Sequence, residues 1–206
     1  MRHDLDESIG TPAMAYVCEK PWHGLGEALP PDQDIETWVQ AARLDWSIEM
    51  LPVNYQMGGR NHVMRDRFVL ARSDTQAALS VVSGDYQVVQ PKVVLEFYRD
   101  LVEQRGYQLE TAGALAGGRK VWALARTGLV AGVADDAADK LGAYVLLATS
   151  CDKMLATTVT FTSVRVVCQN TLSFSVRDMK TAPGLALAPS LKDKAWEKAL
   201  EMTQSQ

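Results

Sequence analysis

Trp46-Ser47-Ile48-Glu49-Met50 and Asn61-His62-Val63-Met64-Arg65-Asp66-Arg67-Phe68-Val69-Leu70-Ala71-Arg72, joined across Gly58-Gly59, decide the fold class. In the first run Trp46, Ile48 and Met50 alternate with Ser47 and Glu49, the period of a strand with two unlike faces. Gly58-Gly59 is a hairpin turn signal, and Pro52 predicts an edge strand or a bulge. The returning strand is the most basic stretch of the chain, with Arg60, Arg65, Arg67 and Arg72 against Asp66 alone. Alternation puts Arg65, Arg67 and Val69 on one face and Met64, Asp66, Phe68 and Leu70 on the other. The arginine face is either a solvated exterior or an anion-binding row, since guanidinium suits phosphate better than ammonium does.

The same signals recur on both sides. Leu79–Val82 and Tyr86–Val89 predict two short strands around a Ser83-Gly84-Asp85 turn. Tyr107–Ala114 and Arg119–Thr127 predict a second hairpin about Gly117-Gly118, and Tyr144–Thr149 with Met154–Val167 a third. Between them lie helices. Asp34 caps one from Ile35 to about Leu44, with Ile35, Trp38, Val39 and Ala42 as its apolar stripe. Pro91 opens another running to about Arg105, which Gly106 ends. A third starts near Asn170. The fold class is therefore α+β: antiparallel β-hairpins forming a curved sheet packed by two or three helices.

Breakers set the boundaries. Pro12, Pro21, Pro30, Pro31, Gly10, Gly24 and Gly26 predict an irregular N-terminal arm over 1–31, with Trp22 plugging it onto the body. Residues 32–182 form the core domain, and 183–206 a linker and short C-terminal helix opened by Ser190-Leu191-Lys192-Asp193. Residues 128–142 read as a surface loop whose Asp135, Asp136 and Asp139 lack the pattern of a calcium loop.

Composition is that of a soluble globular protein: 206 residues, 47% hydrophobic and 22% charged. No apolar run is long enough for a membrane helix, and Cys18, Cys151 and Cys168 lack metal spacing, so reduced thiols in a cytosolic protein are expected. The net charge of −4 is uneven. Residues 1–50 carry −7 and the remainder +3, so the overall acidity does not exclude an anionic partner.

Thr149 to Leu172 poses a separate question. Arg165 stands between apolar neighbours, ahead of Gln169, Asn170 and Thr171, and an unpaired charge there would be costly. Its partner is either an internal carboxylate such as Asp152 or an external anion. The three histidines, His3, His23 and His62, are far apart and form no triad, and no zinc, Walker or paired-carboxylate pattern appears. No catalytic set, metal or cofactor is expected.

Pro21-Trp22-His23-Gly24-Leu25-Gly26, Val69-Leu70-Ala71-Arg72-Ser73-Asp74-Thr75, Tyr86-Gln87-Val88-Val89-Gln90-Pro91, Val121-Trp122-Ala123-Leu124 and Val164-Arg165-Val166-Val167-Cys168-Gln169-Asn170-Thr171-Leu172 occur in order over about residues 15 to 175. In these the chain resembles the phage/plasmid-like protein family, a mobile-element domain of unknown function. Where relatives carry Ser-His-Asp-Gly this chain has Ser150-Cys151-Asp152-Lys153, which argues against a catalytic or metal role for that turn. The resemblance implies a bacterial cytoplasm as the setting. By fold-level analogy it implies kinship with phage single-strand-annealing recombinases, which combine a curved antiparallel sheet with a crossing helix and form rings.

Three functions follow as expectations. The first is single-stranded DNA binding and annealing by a homo-oligomer, with Arg65, Arg67, Arg72, Lys153, Arg165 and Arg177 tracking phosphates. The second is a non-enzymatic interaction or regulatory module, for host takeover or anti-defence, whose acidic first 50 residues suit a basic host protein. The third is an enzyme using Asp152, Cys151 and Asn170.

Overall fold

The computed structural model describes residues 3–99, 101–102, 106–132, 140–177 and 185–186. Among them, strands β1 (Met14–Val17), β2 (Glu27–Leu29), β3 (Ile48–Met57), β4 (Arg60–Arg72), β5 (Ala78–Ser83), β6 (Gln108–Leu115), β7 (Lys120–Gly132), β8 (Lys140–Ser150), β9 (Thr158–Thr162) and β10 (Leu185–Ala186) form two sheets. The larger has the order β10-β9-β8-β7-β6-β1-β2 and the smaller β3-β4-β5. All pairings are antiparallel except β1 with β2. Helices α1 (Ile35–Ala41), α2 (Pro91–Glu96) and α3 (Gln169–Arg177) complete the fold, with α2 packed on β7 and β8 and against α1. The α+β class with antiparallel sheets and packed helices is as expected, though the sheet is divided in two.

The large sheet is buried on both faces. Along β7 and β8, Val121, Ala123, Ala125, Val145 and Leu147 face a core shared with α1, α2 and the small sheet. Trp122, Leu124, Leu146 and Ala148 face a second core under Leu5, Val166, Val167 and Leu172. This double burial is why these strands read as continuous apolar runs without alternation. Tyr98, fully buried, pins the helical side to the sheet. Its hydroxyl accepts from the Leu147 N–H at 2.7 Å and donates to the Ala123 carbonyl at 2.7 Å.

Several elements differ from their predicted form. The N-terminal arm is not irregular throughout: Met14–Val17 is a buried strand between β6 and β2. Its four apolar residues lie between breakers, too few to show a period. Trp22 is 60% exposed and plugs nothing; it sits edge-on to His23, ring centroids 5.2 Å apart. Tyr86–Val89 forms no strand; the Tyr86 hydroxyl donates to the Ser150 carbonyl, and the side-chain amide of the following Gln90 bonds both backbone groups of Ile48. Strand β9 stops at Thr162, so Arg165 lies in a non-strand segment ahead of α3. Strands β7 and β8 run into the expected 128–142 loop, as far as Gly132 and from Lys140. Asp135, Asp136, Asp139 and the expected final helix lie outside the described residues. In the expected linker, Leu185–Ala186 pairs with β9. No helix among the described residues is long and apolar enough to cross a membrane.

Candidate nucleic-acid interface

Strands β3 and β4 form a ribbon that outruns the rest of the small sheet. From Arg60 to Arg67 every β4 residue is exposed, and from Leu51 to Met57 β3 is exposed or half-buried. Gly58 and Gly59 close it with φ of 59° and 73°, the two positive angles of a tight hairpin turn. A bulge sits at the ribbon's base. Pro52 pairs with Phe68 and Val53 with Met64, so Arg65, Asp66 and Arg67 have no partner on β3. The bulge breaks the simple alternation expected of Arg65 and Arg67. Arg67 pairs in register with Ser83 on β5, and its Nη1 lies 3.3 Å from Oδ2 of Asp66.

Beside the bulge comes the Cys151–Leu155 turn. Lys153 takes a left-handed φ of 64°, and its ammonium lies 5.9 Å from the centre of the Tyr86 ring. The Asp85 carboxyl is held below its ordinary value, first by a Ser83 hydrogen bond and further by the charges of Lys153 and Arg67. Arg67 and Lys153 are 86 positions apart in sequence, yet the charges of both act on Asp85, and Arg65 stands two positions from Arg67 on the bulge. Asp66 and Asp85 temper the positive charge there.

Arg72 and Arg165 are elsewhere, and both are corrections to the expected phosphate row. The Arg72 side chain is 1% exposed. Its Nε and Nη2 bond both Asp74 oxygens at 2.9 and 2.7 Å, and Nη1 bonds the buried Asp6 carboxylate. The guanidinium lies 4.0 Å from the centre of the Trp46 ring, a cation–π contact in a dry setting. Burial works to lower the Arg72 pKa, but Asp74 and Asp6 outweigh it and hold the group above its usual value. A Cβ at Gly118 would fall 2.8 Å from Arg72 Nη1, so this glycine is required by the close approach of the β6–β7 turn.

Arg165 also turns inward, to Glu110 and not to Asp152. Its Nε lies 2.7 Å from Glu110 Oε1, off the line of a hydrogen bond, and Nη2 donates to the Val17 carbonyl at 2.9 Å. Arg126 Nη2 holds the other Glu110 oxygen at 3.0 Å. One buried carboxylate thus joins two arginines and ties the segment before α3 to β6, β7 and β1. Arg177 closes α3, and its side chain lies outside the described residues.

Two further residue sets resolve into local structure. Asp152 Oδ1 accepts from the Met154 N–H at 3.0 Å, and Thr171 Oγ1 accepts from the Val167 and Cys168 N–H groups at 2.9 and 3.0 Å. Burial, with the Asp152 charge behind it, pushes the Cys151 thiol up to about 11, so it is not an activated nucleophile. Asn170 is exposed at the start of α3. Sequence reasoning missed His23, whose Nδ1 accepts from the Leu25 N–H at 3.1 Å and whose Nε2 donates to the Val167 carbonyl at 3.0 Å. It clasps the Pro21–Gly26 loop to the Arg165 segment. The shared membership of both stretches in the resemblance was the available signal. Among the described residues no three His, Cys, Asp or Glu side chains group as a metal site.

A family profile described as a domain of unknown function, DUF932, matches residues 78–183, just over half of the chain. The Pro21–Gly26 and Val69–Thr75 pieces precede the matched stretch. No curated protein and no solved structure matches.

Proposed function

We propose that this chain, which belongs to the DUF932 family, is a non-enzymatic single-stranded DNA-binding and annealing protein of a phage or plasmid recombination system, working in the cytoplasm of a bacterial host. The observation that supports this most is an exposed ribbon strand bearing Arg60, Arg65 and Arg67, with Lys153 over the Tyr86 ring three residues past the Ser83 that pairs with Arg67. Arginine and lysine hold phosphates, while aromatic rings take unpaired bases without reading their edges. Annealing requires that arrangement: the backbone gripped, the pairing edges left open to a second strand. Arg72 and Arg165 have no part in it, because their guanidiniums are committed to Asp6, Asp74 and Glu110.

Fluorescence anisotropy of a labelled oligonucleotide tests this. Wild-type protein should bind at low salt, with log Kd linear in log salt concentration. Each phosphate contact removed by Arg65→Ala, Arg67→Ala or Lys153→Ala should lower the slope by about 0.7, the single-strand increment. Arg165→Ala should leave the slope unchanged. If wild-type protein leaves the oligonucleotide unshifted at low salt, the alternative takes its place: a protein-interaction or regulatory module of a mobile element, recognised by a stoichiometric protein partner in a host-lysate pull-down.

A further inference from the structure

Two aromatic rings stack across the ribbon, out in solvent. Tyr55 pairs in register with His62, and their ring planes lie 19° apart with centroids 5.2 Å from one another. Both residues are exposed, Tyr55 to 48%. Alternation puts Met57 and Arg60 beyond the stack on the same face, and Val53 and Met64 behind it. Past the bulge, Leu51 and Val69 carry that face onto the small sheet, and alternation from Val69 places Arg67 on it too. Met57 is 71% exposed and Met64 44%. A contiguous exposed apolar face marks an interaction surface, and this one has a guanidinium on either side of its rings.

Chemistry selects the occupant. Residues 53–67 hold three arginines against Asp66, a net charge of +2, so the face suits a polyanion. The stacked rings and the methionines require that the same partner bring flat apolar surface. An unpaired nucleic-acid strand brings both, a charged backbone and free base faces. A duplex keeps its base faces stacked inside, and a carboxylate-rich peptide offers charge without a flat face. We propose that the Tyr55–His62 stack is a base platform: one unpaired base lies on it, and Arg60 and Arg67 hold phosphates of the same strand on either side. The inference rests on the DNA-binding reading above and adds to it a base contact on the ribbon itself. Stacking engages the face of the base and leaves its pairing edge open.

Fluorescence anisotropy on the full chain tests it with two labelled probes of equal length. One is a single-stranded oligonucleotide, the other its abasic counterpart, which keeps the phosphates and lacks the bases. Tyr55→Ser should weaken binding of the oligonucleotide about 5- to 150-fold, the span of one base–aromatic stack. Its salt slope should stay at the wild-type value, because stacking releases no counterions. Tyr55→Phe, which keeps the ring, should bind as wild type does. On the abasic probe Tyr55→Ser and wild type should bind alike, so that the losses from removing the ring and removing the bases do not add. Circular dichroism melts check that the variants fold. A Tyr55→Ser protein that binds the oligonucleotide as tightly as wild type, or that loses affinity equally for both probes, would overturn the platform; the slope lost in Arg67→Ala would still stand for the DNA reading. Wild-type protein that shifts neither probe at low salt would overturn both readings together.

Discussion

Replacing Arg72 by Met would remove the guanidinium while keeping a long apolar stem against Trp46. The Asp6 side chain is 1% exposed, and its other oxygen accepts from Ser8, so the carboxylate would be left buried with its main counter-charge gone. Breaking a buried pair from one side costs about 3–5 kcal/mol. Losing the cation–π contact with Trp46 adds about 0.5–2 kcal/mol, partly recovered by methionine packing on the ring. Asp74, 29% exposed, can turn to water and adds little. The net loss is about 3–5 kcal/mol, which for a chain of this size lowers Tm by about 6–20 °C. The double variant Asp6→Leu/Arg72→Met removes both charges and should regain most of that loss, since apolar replacement of a whole buried pair is often neutral. Urea unfolding followed by tryptophan fluorescence measures all three proteins. A single variant within about 1 kcal/mol of wild type, or a double variant no better than the single, would refute the assignment of Arg72 as a structural ion pair.

Other expected outcomes follow from the same contacts. Glu110→Gln leaves Arg165 and Arg126 without their shared counter-charge; since Arg126 is 42% exposed and can reach water, a loss of about 2–3 kcal/mol is expected by urea denaturation. The Asp74 carboxyl is held below its ordinary 3.8, first by the Arg72 hydrogen bonds. Its contribution is therefore fully present above pH 3.8 and is lost as pH falls through the folded value; Asp74→Asn should flatten the acid limb of a Tm-against-pH curve. Thiol titration of native protein with a chromogenic disulfide should label exposed Cys18 quickly, and buried Cys151 and Cys168 only after unfolding.

The β3–β4 hairpin was legible because its signal is local. Period-2 alternation, Gly58-Gly59 and Pro52 lie within a few residues of the structure they determine, and the same holds for Asp34 capping α1 through the Thr37 N–H at 2.7 Å. Met14–Val17 was not legible, since four apolar residues between breakers show no period and only β6, nearly a hundred positions on, makes them a strand. The bulge opposite Pro52 was anticipated in kind. Its placement on β4, with Arg65–Arg67 left unpaired by β3, depends on how β5 holds the second half of that strand.

The arginines mark the division most clearly. The sequence by itself determined the α+β class, the hairpins, the basic returning strand and the demand that Arg165 be paired. It could not tell Arg72 from Arg65, two guanidiniums on one strand. The tertiary structure decided that Arg72 meets Asp6 over Trp46, that Arg165 meets Glu110, and that Arg67 stays exposed on the ribbon beside Asp66. The physical reason is that a guanidinium's role is set by the charge it meets and the water it keeps. Both are properties of chain segments brought together from far apart, which local periodicity does not encode.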